Sequence, residues 1–587
     1  MLKIFKNLKS RDWLFLFISA ALVVTQVWLD LTMPDYTQKL TQSVSSGDVK
    51  MKVVLENGGM MLLCAVGSMA AAITCGFFAS QIAANFAKTL REKLYDKITN
   101  FSDREINKFS TPSLITRTTN DVVSMQMLIA MGMQSIIKAP VMAVWAICKI
   151  SSSSVEWTTA VIICVIVLVV TVSLLVGIAY PRFKAIQKLT DNLNDVTREN
   201  ITGVRVVRAF NAEKYQEDKF AVVNKKITAN HLFTSRIMGL LMPVMTIAMN
   251  GLTLSIYWIG AYLINETEIM GRAELIGNMT AFTQYALQVV GAFMMLVMIF
   301  IMMPRAIVSG KRINEVLDTE PSISFKSDEV KADEHGTVEF RNVSFAYQDA
   351  GEPCLSDISF KINKGETFAV IGATGTGKTS LVNLIPRFYD ATSGEILING
   401  KDIKEYPEEQ LQKIISVAPQ KATLFMGDIK SNITYGSDNV SDDDERISRA
   451  LEISKSDFVS ELEKGIHSEV AQGGTNYSGG QKQRLSIARA VFSNAEIMIF
   501  DDTFSALDYK TDMLVRKALR ENLSDTTVII VAQRIGTIKN ADKILVLHDG
   551  KAVGMGTHEE LLENCAVYKE IALSQLSEEE LARKEMN

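Results

Sequence analysis

Phe368-Ala369-Val370-Ile371-Gly372-Ala373-Thr374-Gly375-Thr376-Gly377-Lys378-Thr379-Ser380 decides how the C-terminal half of this chain folds. The four apolar residues form a buried-type strand, the glycine-rich run breaks it, and Ser380 to Pro386 carries a helical pattern. Gly372 to Thr379 is G-x-x-x-x-G-K-[ST] in the strand–loop–helix setting that this motif requires. Glycines leave backbone N–H groups free to wrap phosphate oxygens, Lys378 supplies a cation to the outer phosphates, and the Thr379 hydroxyl can ligate Mg²⁺. The start of the following helix adds its positive dipole end.

Two further stretches extend that site. Glu496-Ile497-Met498-Ile499-Phe500-Asp501 is a second apolar strand closing on an acid, placed as phosphate-loop enzymes place their Mg²⁺-holding carboxylate. Asn476-Tyr477-Ser478-Gly479-Gly480-Gln481-Lys482-Gln483-Arg484 leads into a helical run, Leu485 to Phe492; small residues at a helix start suit an anion, although a Ser-Gly-Gly turn alone is often only a turn. Thr337–Phe345 and Thr527–Ala532 add β-rich runs, and their alternation with helical segments predicts an α/β phosphate-loop domain over residues 336–576.

Upstream the pattern changes. The 587 residues are 48% hydrophobic and 22% charged with a mean hydropathy of +0.14, too apolar for disorder and long enough for two or more domains. Apolar runs near the ~20 residues needed to cross hydrocarbon lie at 13–31, 53–78, 127–150, 157–180, 237–263 and 275–303. Residues 1–318 are therefore expected to form a six-helix transmembrane domain, 319–335 a polar linker and 577–587 a charged tail. Leu31-Thr32-Met33-Pro34 offers no small-residue cleavage site, so the first run reads as a retained anchor.

Charge sets the orientation. Lys3, Lys6, Lys9 and Arg11 precede the first span, and the connections after the second and fourth are rich in Lys and Arg. Positive segments stay inside, so the N-terminus, both long connections and everything after Pro304 are expected on the cytoplasmic side of a plasma membrane. Those connections, roughly 87–126 and 181–236, have helical apolar spacing and read as continuations of the spanning helices, either solvated stalks or couplers to the cytoplasmic domain. A net charge of −5 and a pI near 5.8 offer no basic field for nucleic acid. The six scattered cysteines, with no CxxC pair, read as buried small hydrophobes in a reducing compartment rather than a disulfide frame or zinc site.

Taken together, these residues resemble the ATP-binding cassette (ABC) family, and six spans followed by one cassette resemble an ABC exporter half-transporter over essentially the whole chain. The resemblance implies ATP and Mg²⁺ as ligands, with Tyr347 stacking on adenine, Gln420 in the loop between nucleotide and membrane domain and at the metal, Ser478-Gly479-Gly480-Gln481 as the signature facing a partner's ATP, and Ser505-Ala506-Leu507-Asp508 as the D-loop. Gly556-Thr557-His558-Glu559-Glu560-Leu561 is a further match. Leu114–Val122 and Glu199–Phe210 are similar to the family's coupling regions, which favours couplers over stalks. The family also implies head-to-tail dimerisation, since one chain supplies one cassette and six spans.

The departures carry as much information. Where the family places a Glu after the Mg²⁺ acid this chain has Asp502, and where it places a switch His it has Gln533. A carboxylate withdrawn by roughly 1 Å can lose about 10²-fold in rate, and Gln can donate to a γ-phosphate without carrying charge. Gln472 stands where many exporters have Glu. An intact signature beside a weak site predicts a heterodimer whose other half supplies Glu and His. That reading makes the chain half of an ATP-driven exporter of drug-, peptide- or lipid-like amphipathic compounds. The alternative is an ATP-gated channel or regulatory membrane subunit that uses ATP mainly as a ligand. Methionines cluster at 238, 242, 245, 249, 294, 295, 298, 302 and 303, as a plastic cavity surface or as ordinary apolar packing. Gln284, Gln288 and Asp30 are the polar residues of interest within the spans, and Pro140 and Pro243 are candidate kinks.

Overall fold

The computed structural model describes residues 10–46, 51–151, 155–332, 334–348, 350–437 and 444–575. The basic residues Lys3, Lys6 and Lys9 and the expected tail 577–587 lie outside them. The chain divides into two compact units: Met1–Thr99 with Pro112–Thr319, and Asn100–Thr111 with Glu320–Asn587.

Among the described residues, six helices are long and apolar enough to cross a membrane, at Ser10–Ser45, Met51–Thr99, Thr111–Ile150, Val155–Thr202, Glu213–Glu266 and Gly271–Val297. In hydrocarbon every backbone group needs an internal partner, which only a continuous helix supplies along a single segment. These helices overshoot the apolar runs: the second, 49 residues, is about 70 Å long at 1.5 Å per residue. The overshoot is where the cytoplasmic connections continue the spans. Their interruptions coincide with local breakers. Pro112 lies in the first turn of the short helix Thr111–Thr118, Gly203 precedes Val204–Ala209, and the fifth span breaks at Leu240, just before Pro243. Pro140 instead sits inside the helix Met133–Ser151, which follows a π-helical turn at Leu128–Gly132.

Val23, Val27 and Leu31, four residues apart, put one face of the first helix into the core, with Trp157 and Phe282 in ring contact at 5.3 Å. Asp30 forms an interhelical ion pair: Lys138 Nζ lies 3.1 Å from Oδ2, Ser68 Oγ donates to Oδ1 at 2.5 Å, and Gln288 Nε2 donates to the Asp30 carbonyl at 3.1 Å. A second pair, Lys149 with Asp35 at 2.7 Å, also receives the Tyr285 hydroxyl. The methionines divide: Met245 is buried in the core while Met242 is exposed. No disulfide links the cysteines; Cys64, Cys75 and Cys565 are buried, whereas Cys148 is exposed, against the expectation of uniformly buried thiols.

In the second unit, a six-stranded sheet runs β12-β11-β3-β10-β9-β6, with β3 Thr367–Ile371, β6 Ile415–Ala418, β9 Ile497–Asp501, β10 Thr527–Val531, β11 Lys543–His548 and β12 Lys551–Gly556. All its pairings are parallel except β11 with β12. Burial on both faces is why β3, β9 and β10 read as unbroken apolar runs. A four-stranded antiparallel sheet, β2-β1-β4-β5, is built from β1 Val338–Phe345, β2 Leu355–Ile362, β4 Ser393–Ile398 and β5 Lys401–Asp402, and a small antiparallel ribbon pairs β7 Gly427–Asp428 with β8 Glu469–Val470. The rings of Phe340, Phe360 and Phe368 stack in sequence at 4.5 and 4.9 Å, tying this sheet to β3. The parallel register pairs Val531 with both Val370 and Asp501, and Ala418 with Phe500. The loops after β3, β10, β9 and β6 therefore emerge side by side at the carboxyl edge, where open α/β sheets bind ligands.

Candidate functional site

Each of those four loops delivers a residue singled out from sequence. After β3, the glycine-rich loop turns into the helix Lys378–Leu384. Gly372 cannot be replaced: a Cβ there would meet the Leu547 carbonyl oxygen at 2.3 Å. Gly377 caps the helix at φ +94°, a left-handed conformation suited to glycine. Lys378 is buried, and its Nζ donates to the carbonyls of Gly372 at 2.8 Å and Ala373 at 2.7 Å. Burial pushes its pKa down, opposed by Asp502 and Asp501. Thr376 Oγ1 closes the loop on the Ala373 carbonyl at 2.9 Å.

β9 ends on Asp501, whose Oδ1 accepts from Thr379 Oγ1 at 3.2 Å. Burial is the largest influence on this carboxyl and, with Asp502 adding repulsion, raises its pKa to about 6 against the opposing pulls of Thr379 and Lys378. A hydroxyl and a carboxylate are hard oxygen donors fitting Mg²⁺, which keeps waters and substrate phosphates rather than an all-protein cage.

Asp502 follows at φ +45° and is buried. Gln533, after β10, donates through Nε2 to Asp502 Oδ2 at 2.9 Å, and Gln420, after β6, donates to the same oxygen at 3.2 Å. Gln483 Nε2 holds the Gln420 carbonyl at 2.6 Å from the signature helix Gly479–Phe492. Sequence reading missed Gln483, because nothing in its spacing announces a partner so far away in the chain. Asp502, Gln533, Ser505 and Arg534 line a cavity of about 300 Å³.

The remaining positions fall around this centre. Tyr347 stands edge-on to Phe345 and Tyr389, with its hydroxyl 2.9 Å from Ser380 Oγ. Ser478 and Gln481 form a reciprocal capping box at the helix start: Ser478 N–H donates to Gln481 Oε1 at 2.9 Å, and Gln481 N–H to Ser478 Oγ at 3.3 Å. A Cβ on Gly480 would lie 3.4 Å from the Ala506 carbonyl, so signature and D-loop pack together. Asp508 ends the D-loop by capping the next helix through Thr511 N–H at 3.0 Å. Gln472 begins a 3₁₀ turn with Gly473 and Gly474. Thr374 and Gly375 complete the loop, Gly375 at φ +87°.

Comparison with known proteins decides the identity. Residues 355–505 match the family described as ABC transporter, and residues 15–293 match ABC transporter transmembrane region. The chain belongs to the ABC transporter family. An ABC transporter ATP-binding protein of Mycobacterium tuberculosis is 37% identical over 531 residues, covering 89% of this transporter and 88% of its own length. YfiB of Bacillus subtilis, another such protein, is 32% identical with 96% of both chains covered. An ATP-dependent lipid A-core flippase of Syntrophus aciditrophicus is 32% identical over 87% of the transporter and 84% of its own chain. The structure of a bacterial Atm1-family ABC exporter with ATP bound superposes with a TM-score of 0.80 at 23% identity, covering 97% of this chain and 100% of the other. That likeness establishes the fold. With a membrane region and an ATP-binding region fused in one chain, the transporter is built as a half-transporter. It is a multi-pass membrane protein with its ATPase domain on the cytoplasmic side.

Proposed function

We propose that the transporter is one half of a heterodimeric, ATP-driven exporter of amphipathic compounds and that its own nucleotide site hydrolyses ATP slowly. The observation that carries this reading is the Asp502 carboxylate, one methylene shorter than Glu and with Oδ2 held by the amides of Gln420 and Gln533. A general base has to reach a water in line with the γ-phosphate, and misplacement by about 1 Å can cost about 10²-fold. In this reading Lys378 and the backbone from Gly372 to Gly377 hold the phosphates, Thr379, Asp501 and Gln420 hold Mg²⁺, and Tyr347 takes the adenine. The bound metal would neutralise charge developing on the transferred phosphoryl group.

Dimerisation draws support from unpartnered apolar surface. Within the first unit Val206 and Phe210 are 61% and 79% exposed, and within the second Met426 is 78% exposed beside the stacked rings of Phe425 and Tyr435. A second half-transporter is the occupant proposed for this surface. The lipid A-core flippase relatives support a lipid-like amphipath as cargo. The expected domain bounds, 1–318 and 336–576, stand as part of the same proposal.

ATPase measurements on the purified chain alone, and on the chain with its partner half, test this. Slow turnover alone and faster turnover in the complex are expected. Brisk hydrolysis by the single chain, unchanged in Asp502→Asn, would overturn the proposal.

A further inference from the structure

The chain passes between its two units at three places, Thr99/Asn100, Thr111/Pro112 and Thr319/Glu320. Two sets of side-chain contacts tie these crossings to one another. Leu114–Val122, expected to be a coupling region, takes part in the first set, entirely within the membrane unit. Arg117 Nη1 donates to the Arg312 carbonyl at 2.6 Å and to Glu315 Oε2 at 2.9 Å. Asp121 Oδ1 accepts from Ser309 Oγ at 2.9 Å, and Arg312 Nη1 lies 3.4 Å from Asp121 Oδ2. Arg117, Asp121 and Ser309 are all buried. Asp121 Oδ2 has no hydrogen-bond donor, so Arg312 is the charge that compensates it. This tier joins the segment returning through Pro112 to the helix Ile269–Asp318, which runs out toward Thr319.

The second tier lies within the cassette unit and joins the segment entering at Asn100 to the chain just past Thr319. Ser102 Oγ is 2.9 Å from Ser322 Oγ, and Glu105 Oε2 accepts from Ser102 N–H at 3.1 Å and Ser102 Oγ at 2.6 Å. Burial alone would raise the Glu105 carboxyl, but hydrogen bonds from Ser102 and Ser322 outweigh it and hold it below the usual range. Glu105 is buried.

We propose that Arg312 and Glu105 are positioning residues of the transport cycle, bracing the first cytoplasmic connection and the chain leaving the sixth span into one strap that moves as a unit when ATP binds. The Arg312–Asp121 pair resists separation because Asp121 is buried, and parting it would strand that carboxylate away from water. Two ties, one ionic and one of hydrogen bonds, stand at the two ends of the same pair of segments and remove the freedom of either segment to lag behind the other. Within the cassette unit, none of the hydrogen bonds described for Ser102, Glu105 and Ser322 involves the phosphate loop or Asp502, so loss of the strap should disconnect the membrane unit without emptying the nucleotide site.

The test uses the full chain assembled with its partner half in lipid nanodiscs, with trinitrophenyl-ATP to read nucleotide binding and hydrogen–deuterium exchange to read residues 271–297. ATP should alter exchange in that span in the unmodified chain. Arg312→Gln should cut the altered rate by about tenfold while nucleotide binding stays intact, and Arg312→Lys should restore it. An unmodified response in Arg312→Gln, or no response in the unmodified chain at saturating ATP, overturns the proposal. Ser102→Cys/Ser322→Cys supplies a second arm that does not depend on a buried charge, since the two hydroxyls are already within disulfide reach. Equal cross-linking with and without ATP, together with an exchange response that survives the cross-link, is expected. Cross-linking that ATP prevents, or a cross-link that abolishes the response until reduced, shows that the strap must open and overturns the proposal.

Discussion

Gln533 Nε2 and Asp502 Oδ2 are 2.9 Å apart, and Gln420 brings a second amide to the same carboxylate oxygen. Two donors on one oxygen stabilise the carboxylate where it stands and direct it toward the loop after β6. Lengthening residue 502 by a methylene moves the oxygens out of that grip. Asp502→Glu is therefore expected to raise the ATPase rate of the purified chain about tenfold, and Asp502→Glu with Gln533→His about 10²-fold. A double variant no faster than the original would show that these two positions do not limit hydrolysis.

Asymmetry gives a second expectation. Ser478 caps the signature helix, while Asp502 belongs to the chain's own phosphate site. In a complex with a competent partner, Ser478→Arg should lower turnover about 10²-fold by obstructing the partner's phosphates. Asp502→Asn should change it by less than about twofold, because little flux passes through that site. Steady-state ATPase of the two complexes separates these outcomes; equal losses would argue for two equivalent sites.

A third expectation concerns pH. The folded pKa of Asp501, about 6, lies above the ordinary aspartate value near 3.9, so the fold favours the protonated carboxyl. The stability that this group contributes is fully present below the unfolded value and is lost as pH rises through about 6. Mg²⁺ needs the ionised form and should offset that loss. Mg²⁺-dependent ATP affinity should thus fall about tenfold per unit as pH drops below 6, and Asp501→Asn should flatten the profile. Calorimetric titrations at pH 5 and pH 7.5, with and without the metal, would check both signs.

Of the cassette's parallel strands, β3, β9 and β10 were legible because burial on both faces demands apolar runs, whereas β6, only four residues long, and β11, which opens and closes on polar residues, were not singled out. β2 and β4 were not anticipated, since alternating exposure in a sequence such as Leu355-Ser356-Asp357-Ile358 leaves few apolar residues in succession. The spans were plain for a related reason, and the helical apolar spacing of the connections made it legible that Met51–Thr99 and Val155–Thr202 run on past the hydrocarbon. Asp502, Gln533 and Gln420 could each be named from order along the chain. Their convergence on one oxygen could not, for it depends on β6, β9 and β10 lying side by side, a neighbour relationship absent from sequence order. The same holds for Lys138, an unremarked cation until the third span brings it to Asp30.

That last pair supports a stability prediction. Asp30 and Lys138 face each other at 3.1 Å with side chains only 18% and 16% exposed, and Ser68 and Gln288 complete the arrangement from the second and sixth spans. Asp30→Asn keeps a polar group able to accept from Ser68 but leaves the Lys138 ammonium without its carboxylate among packed spans. The cost of removing one partner from a buried pair is about 3 kcal/mol. Asp30→Asn with Lys138→Met removes both charges and should recover to within about 1 kcal/mol of the original, because the penalty lies in the unpaired charge more than in the lost bond. Thermal inactivation in detergent, followed by the fraction of monodisperse protein, measures the cycle. If the double variant is as fragile as the single, the helices depend on the ion pair itself and not on avoiding an isolated charge.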